Sequence, residues 1–109
     1  MEFLNKIEIR GIVGNVSFAE VGDTKKASFS VCTHDTCKAP DGEATVDTTW
    51  FNVSAWETPE NGIDNLRKGA RVFVSGRIRT RYYEGNGCER ILQEVVATEV
   101  RVEPESEEA

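Results

Sequence analysis

Residues 67–83 read RKGARVFVSGRIRTRYY, and the alternation inside this stretch decides the fold. Val72, Val74, Gly76 and Ile78 occupy one phase; Arg71, Arg77, Arg79, Arg81 and Tyr83 occupy the other. Successive side chains of a strand point to opposite faces. The stretch therefore predicts a strand with an apolar inner face and an outer face of arginines that ends in a tyrosine. It carries six cations (Arg67, Lys68, Arg71, Arg77, Arg79 and Arg81) and no acid. Guanidinium groups suit phosphates and an exposed ring offers a π-face to a base, so the pattern points to a nucleic-acid strand as ligand. Tyr82 falls in the inner phase and is expected to be structural. Phe73 shares the arginine phase and fits either the binding face or a subunit contact.

The remaining chain is acidic. Net charge is −6, but the last seven residues, EPESEEA, carry four of the acids, so the rest stands near −2 with its cations concentrated in one segment. Local placement of charge, not the net value, decides what a cleft attracts. The 109 residues amount to one domain, large enough to bury a core without disulfides or a structural metal. Domain 1–102 is expected to be followed by a short, disordered acidic tail over 103–109. No run of about 18 apolar residues and no apolar signal core are present, which points to the cytoplasm, in association with the nucleoid, and away from the membrane.

Outward from the arginine strand, four further strands are predicted. In the first, over residues 5–18, Ile7, Ile9, Gly11 and Val13 face in while Lys6, Glu8 and Arg10 face out; Lys6 and Arg10 join the candidate phosphate contacts. The phase slips after Gly14-Asn15, the signature of a bulge. The second, Lys25–Thr33, turns Ala27, Phe29 and Val31 inward. Residues 34–47 are polar with Pro40 and Asp41-Gly42, and read as a long, mobile hairpin loop. The third, Thr48–Trp56, places Thr49, Phe51, Val53 and Ala55 on the core face, which leaves Trp50 and Trp56 with Asn52 and Ser54 on the polar face. Two tryptophans in that company are candidate platforms for a ligand. Thr58-Pro59 as cap and first turn, and Gly69 as stop, predict a short helix bearing Ile63 and Leu66. Glu84-Gly85-Asn86-Gly87 makes a hairpin turn into the fifth strand, about Glu89–Val102, with Leu92, Val96, Val100 and Val102 in one phase. Three strands, a short helix and two strands describe an all-β chain with an OB-fold, a five-stranded Greek-key barrel whose helix lies between strands three and four.

Over roughly residues 5–102 the chain resembles the bacterial single-stranded DNA-binding protein family. The resemblance rests on Asn5-Lys6-Ile7-Glu8-Ile9-Arg10-Gly11-Ile12-Val13-Gly14, on Thr49-Trp50-Phe51-Asn52-Val53, on Leu66-Arg67-Lys68-Gly69 and on Gly76-Arg77-Ile78-Arg79-Thr80-Arg81. It implies an OB-fold that holds single-stranded DNA with little sequence preference, in replication, recombination or repair. It carries the family's stacking aromatics onto Trp50, Trp56 and Tyr83; a further family aromatic would fall near Thr36 and is absent. It also implies a homo-oligomer, a tetramer before a dimer. The family's long linker with an acidic tip and a terminal hydrophobic residue is not matched by Glu103–Ala109, so partner recruitment by that route does not carry over.

Other chemistry is thin. Cys32, His34, Cys37 and Cys88 are four potential zinc ligands, but their spacing is not that of a standard zinc module. Free thiols and a loop histidine are the expectation, with no metal and no cofactor. One histidine, no nucleophile motif and no phosphate-cradling glycine loop give an enzyme nothing to work with. Two other readings keep the fold: an OB-fold adaptor between proteins, and a binder of single-stranded RNA.

Overall fold

The alternation of residues 67–83 is carried by strand β4, Arg71–Gly85, in a computed structural model that describes residues 1–59 and 61–104. The other strands are β1 (Ile7–Val21), β2 (Thr24–Lys38), β3 (Ala44–Trp56) and β5 (Cys88–Glu103). They close into a barrel in the order β1-β2-β3-β5-β4. Every neighbouring pair is antiparallel except β3 and β5, which meet in parallel only at Val53–Val95 and Ser54–Val96. This is the OB-fold order expected from the sequence.

The phase slip in β1 is real. Its first half pairs with β4 as far as Ile12, its second half pairs with β2, and the register shifts between Val13 and Val16. Ile9, Val13, Ala27, Phe29, Val31, Val53, Ala55, Val72 and Val74 point inward and are buried, as their phases predicted. Burial of a side chain of this size is worth roughly 1.5–3 kcal/mol, which is what holds the barrel closed. At the far hairpin Asn86 and Gly87 both take positive φ, 52° and 76°, the two-residue turn that Asn-Gly favours.

Several expectations are corrected. Among the described residues no helix joins β3 to β4; the segment forms turns. Asn61 explains why. Its amide donates to Thr58 Oγ1 at 3.0 Å, while its side chain donates to Thr98 O and accepts from Val100 N, tying the segment to β5 instead of into a helical ladder. Ile63 and Leu66 nevertheless plug the barrel end, both buried. Gly69, at φ 90°, is not a helix stop; it lets the loop dock on β1, where Gly69 N donates to Val13 O at 2.8 Å and Val13 N donates to Ala70 O at 2.9 Å.

Residues 34–47 are not a long loop either. β2 and β3 stay paired out to Lys38 and Ala44, and only Ala39–Glu43 turns. The composition is polar although the segment is a strand pair, because this part of the hairpin runs beyond the barrel and has no core to face. The same reason corrects Tyr82 and Ile78: the inner phase of β4 meets no core past Gly76, and Tyr82 stands 76% exposed. In β5 the inner residues are Val95 and Val100, not Leu92 and Val96. Ser75 pairs with Glu99 and Gly76 with Ala97, so Thr98 is an extra residue that flips the phase. Gly76 is required there, since a Cβ would strike the Val96 carbonyl. β5 runs one residue past the expected boundary, to Glu103, and residues 105–109 of the expected tail lie outside the described residues.

Candidate nucleic-acid interface

Cross-strand partners share a face. The register between β2 and β3 therefore lines up Lys26 with Trp56, Ser28 with Ser54, Ser30 with Asn52 and Cys32 with Trp50. Trp56 is 40% exposed, with Lys26 Nζ 5.5 Å from its ring centroid. Trp50 is 58% exposed and lies over β1 at the bulge. A Cβ on Gly14 would stand 2.5 Å from Trp50 Cζ3 and 2.8 Å from Ser30 Oγ. Ser30 Oγ in turn accepts from Asn15 N at 3.0 Å. The bulge thus offers bare backbone as a seat for one indole face and leaves the other open.

The arginines approach from the β4–β5 hairpin, and here the structure supplies an acid that the local sequence did not. Glu94, buried on β5, accepts from Arg79 Nε at 3.1 Å and from Arg79 Nη2, and Arg81 Nη1 lies 3.5 Å away. Burial pushes the Glu94 carboxyl up. The Arg79 hydrogen bond and charge, with Arg81 and Lys26, push it further the other way, and the net direction is below the usual carboxylate range.

Between these elements runs a groove. One part, of about 420 Å³, is lined by Ser28, Ser30 and Asn52, with Asn15 and Ser17 on one side and Arg81, Leu92 and Glu94 on the other. A smaller part, of about 190 Å³, is lined by Trp50, Asn52, Ile78, Gln93 and Glu94. Asn52 and Glu94 border both, so the two parts adjoin, with Arg81 lining the first and Trp50 the second. Tyr83, 47% exposed, follows Arg81 outward on the same face of the hairpin, opposite Arg90. Arg77 precedes them in that phase and is exposed.

Three of the sequence candidates stand elsewhere. Lys6 lies 3.8 Å from Glu8 Oε2, and Arg10 is paired with Glu103 at 3.0 Å. Arg10 and Arg101 both lie over the Phe73 ring, at 5.3 and 4.7 Å from its centroid, on the outer face of β1, β4 and β5. Arg71 lines the clefts on that side of the barrel.

The potential zinc ligands do not converge. Cys32 and His34 share one face of β2, Cys37 has the opposite parity and donates to Asp47 Oδ2 at 3.0 Å, and Cys88 lies on the β4–β5 hairpin. The hydrogen bond to Asp47, then burial, raises the Cys37 thiol above its ordinary value, the reverse of what a thiolate ligand needs. Among the described residues no group of three or more His, Cys, Asp or Glu side chains is placed to hold a metal ion.

The site residues missed from sequence are Gly14, Ser30, Lys26 and Glu94. Each acts across strands, so only register reveals it; the bulge signal at Gly14-Asn15 was the one local clue.

Comparison with known proteins gives a consistent result. The model of the single-strand binding protein family matches residues 4–103. A single-stranded DNA-binding protein of Neisseria meningitidis is 32% identical over 104 residues, 91% of this chain and 59% of that protein. One from Streptococcus pyogenes is 37% identical over 73 residues, 65% of this chain and 44% of that protein. The chain thus spans less than two thirds of the length of these curated relatives. Among solved structures, a Plasmodium falciparum SSB in complex with ssDNA superposes with a TM-score of 0.82 at 25% identity, covering 95% of this chain and 98% of that one. A small single-stranded DNA-binding protein from Streptomyces coelicolor, at 19% identity and a TM-score of 0.70 over 93% of this chain and 96% of that one, shares the fold. Among the described residues no helix is long and apolar enough to cross a membrane.

Proposed function

Since the chain belongs to the single-strand binding protein family, we propose that it binds single-stranded DNA with little sequence preference, in the groove between the tryptophans and the arginine hairpin. The observation that carries this reading is the juxtaposition of ring and cation: Trp50 and Arg81 line adjoining clefts that share Asn52 and Glu94 as borders. Bases stack on Trp50, Trp56 and Tyr83, each stack contributing roughly 1–3 kcal/mol whatever the base. Arg77, Arg79, Arg81 and Lys26 take phosphates, with phosphate oxygens replacing Glu94 as the acceptor for Arg79 and Arg81. Paired bases hide their faces, so duplex DNA is discriminated against without any base-reading contact. The role is binding, not catalysis, in the replication, recombination or repair steps that expose single strands. It is exercised by a homo-oligomer, a tetramer before a dimer, in the cytoplasm at the nucleoid.

The test is intrinsic tryptophan fluorescence titrated with oligo(dT) at low and high salt. Saturable quenching that weakens with salt is expected. No quenching, together with no change in the anisotropy of a labelled strand, would refute DNA binding and leave a barrel that serves as an adaptor between proteins.

A further inference from the structure

β3 and β5 pair only at Val53–Val95 and Ser54–Val96. From Asn52 back to Ala44, β3 has only β2 beside it; from Glu94 back to Cys88, β5 has only β4. Two strand edges thus part here, and a strand edge offers unpaired backbone N–H and C=O groups. The notch between them holds about 190 Å³, with Trp50, Phe51, Ile78 and Val95 as apolar walls and Asn52, Gln93 and Glu94 as polar groups. That is too small for a drug-sized ligand, but a lining of this kind suits one heterocyclic ring. Its walls are fixed. The Asn5 side chain donates to Ile78 O at 2.7 Å and accepts from Ile78 N at 3.0 Å, and Arg79 holds Glu94 through Oε1. Glu94 Oε2 accepts no hydrogen bond among the described residues, and no unpartnered side-chain oxygen is buried among them, so Oε2 opens onto the clefts that Glu94 borders.

We infer that this notch takes one base of the bound strand by its edge and prefers cytosine. The inference rests on the reading of the groove as a DNA site, and adds a base-reading contact to it at a single position. An ionised carboxylate only accepts hydrogen bonds, whereas the amides of Asn52 and Gln93 can donate or accept. Cytosine offers an amino group beside ring acceptors: the amino group donates to Glu94, and an amide donates to the acceptors. Thymine, of similar size, carries a carbonyl oxygen where cytosine has the amino group, and that oxygen against Glu94 is a pair of acceptors. The purines also carry amino groups but need room for a second ring. The contact matters most where phosphates draw Arg79 and Arg81 away. Glu94, only 8% exposed, is then short of donors, and leaving a buried acceptor unpaired is costly. The amino group of cytosine replaces the lost donors; thymine has none to give at that point.

The experiment uses the full chain and labelled oligo(dT) of about 8 nucleotides, within the range for one OB-fold, with the central nucleotide replaced by dU or by dC, and reads binding by anisotropy. dU has the edge of thymine without its methyl group, so dU against dC changes the edge alone. The dC strand is expected to bind about fivefold tighter than the dU strand, the low end of what one base-edge contact supplies. The same ratio is then taken in Glu94→Gln and in Ile78→Phe, where a general loss of affinity cancels because each variant is its own reference. Glu94→Gln is expected to bring the ratio near one, since its amide can turn a donor to the uracil oxygen as readily as an acceptor to the cytosine amino group. Ile78→Phe, which fills the notch and leaves Glu94 with its arginines, is expected to do the same. Equal binding of dC and dU by the unaltered protein would overturn the notch and leave the groove standing, and so would a preference that both variants keep. An unaltered protein that bound neither strand would overturn the groove, and the notch with it.

Discussion

On the β2–β3 hairpin the side chains between the two tryptophans and facing the groove are neutral, Ser28, Ser30 and Asn52. On β4–β5 they are Arg79, Arg81 and Glu94, held in one ion-paired cluster. Both hairpins outrun the barrel, and strand parity gives each a groove face and a back. The back of the β2–β3 hairpin sets Asp35 directly opposite Asp47; that of β4–β5 sets Glu84 opposite Glu89. A chain of net charge −6 can therefore present a polyanion with aromatic rings and cations at these hairpins, where Asp35, Asp47, Glu84 and Glu89 face the other side of the same strands. The difference between the hairpins divides most of the work: β2–β3 supplies two of the three stacking rings, whose contribution salt scarcely affects, and β4–β5 supplies the arginines, whose contribution salt screens.

The sharpest way to break that division is to remove the rings. Trp50→Ala and Trp56→Ala are each expected to cost roughly 1–3 kcal/mol of single-strand affinity while the dependence on salt keeps its slope. Trp50→Ala should also remove most of the fluorescence change, and a flattened salt slope in either variant would show that the two hairpins do not work separately. The complementary substitution is Arg79→Gln with Arg81→Gln. Here the salt slope should drop by about 1.4, at 0.7 per charge, with the quenching amplitude retained. Stopped at the same amplitude and the same slope, the titration would show that these arginines serve only Glu94.

Glu94 itself gives a smaller effect, in stability. Its carboxyl is held below the usual range in the folded chain, so its contribution is complete above the range of an unfolded carboxylate and disappears as pH falls through the lowered folded value. Glu94→Gln should therefore melt below the unaltered protein at neutral pH, with the gap narrowing in acid. Asn52→Ala, its neighbour across the groove on β3, should show a gap that does not change with pH. A gap for Glu94→Gln equally wide at both pH values would mean that packing, not the Arg79 pair, is what the residue provides.

What the sequence disclosed follows from where local pattern suffices. Val72 and Val74 against Arg71 and Arg77 is a period-two signal that needs no partner to be read, and the closed barrel follows from five such signals in order. Trp50 and Trp56 could be placed outside the core because Phe51, Val53 and Ala55 define the other face. The signal failed where the inner phase runs past the core, as at Tyr82, and where a bulge resets it, as at Thr98. It also failed where a composition that reads as loop is held in a ladder by its partner strand, as from His34 to Lys38. It was silent on Glu94, fifteen residues from Arg79 in sequence and joined to it only by register. Asn61 shows the same limit for the predicted helix: Thr58-Pro59 is a sound start, but a side chain committed to Thr98 and Val100 overrides propensity.

The smallest expected effect is the most direct test of parity. Tyr82 and Tyr83 are adjacent, both exposed, and chemically identical, yet they stand on opposite faces of β4. Tyr83 shares its face with Arg79 and Arg81 and is opposite Arg90; Tyr82 is opposite Ile91, with the Glu84–Glu89 pair beyond it toward the tip. A phosphate approaching Tyr82 would meet that pair of carboxylates and no cation on the same face of the hairpin. Tyr83→Ala is therefore expected to lower oligo(dT) affinity by about 1 kcal/mol, the low end for one stack, and Tyr82→Ala to leave it unchanged. Because Tyr82 has no core beneath it, the same substitution should leave the melting temperature nearly unchanged, where a core tyrosine would cost several degrees. Equal losses of affinity from the two alanines would mean that the strand crosses both faces of the hairpin, and that the acidic back is no barrier to it.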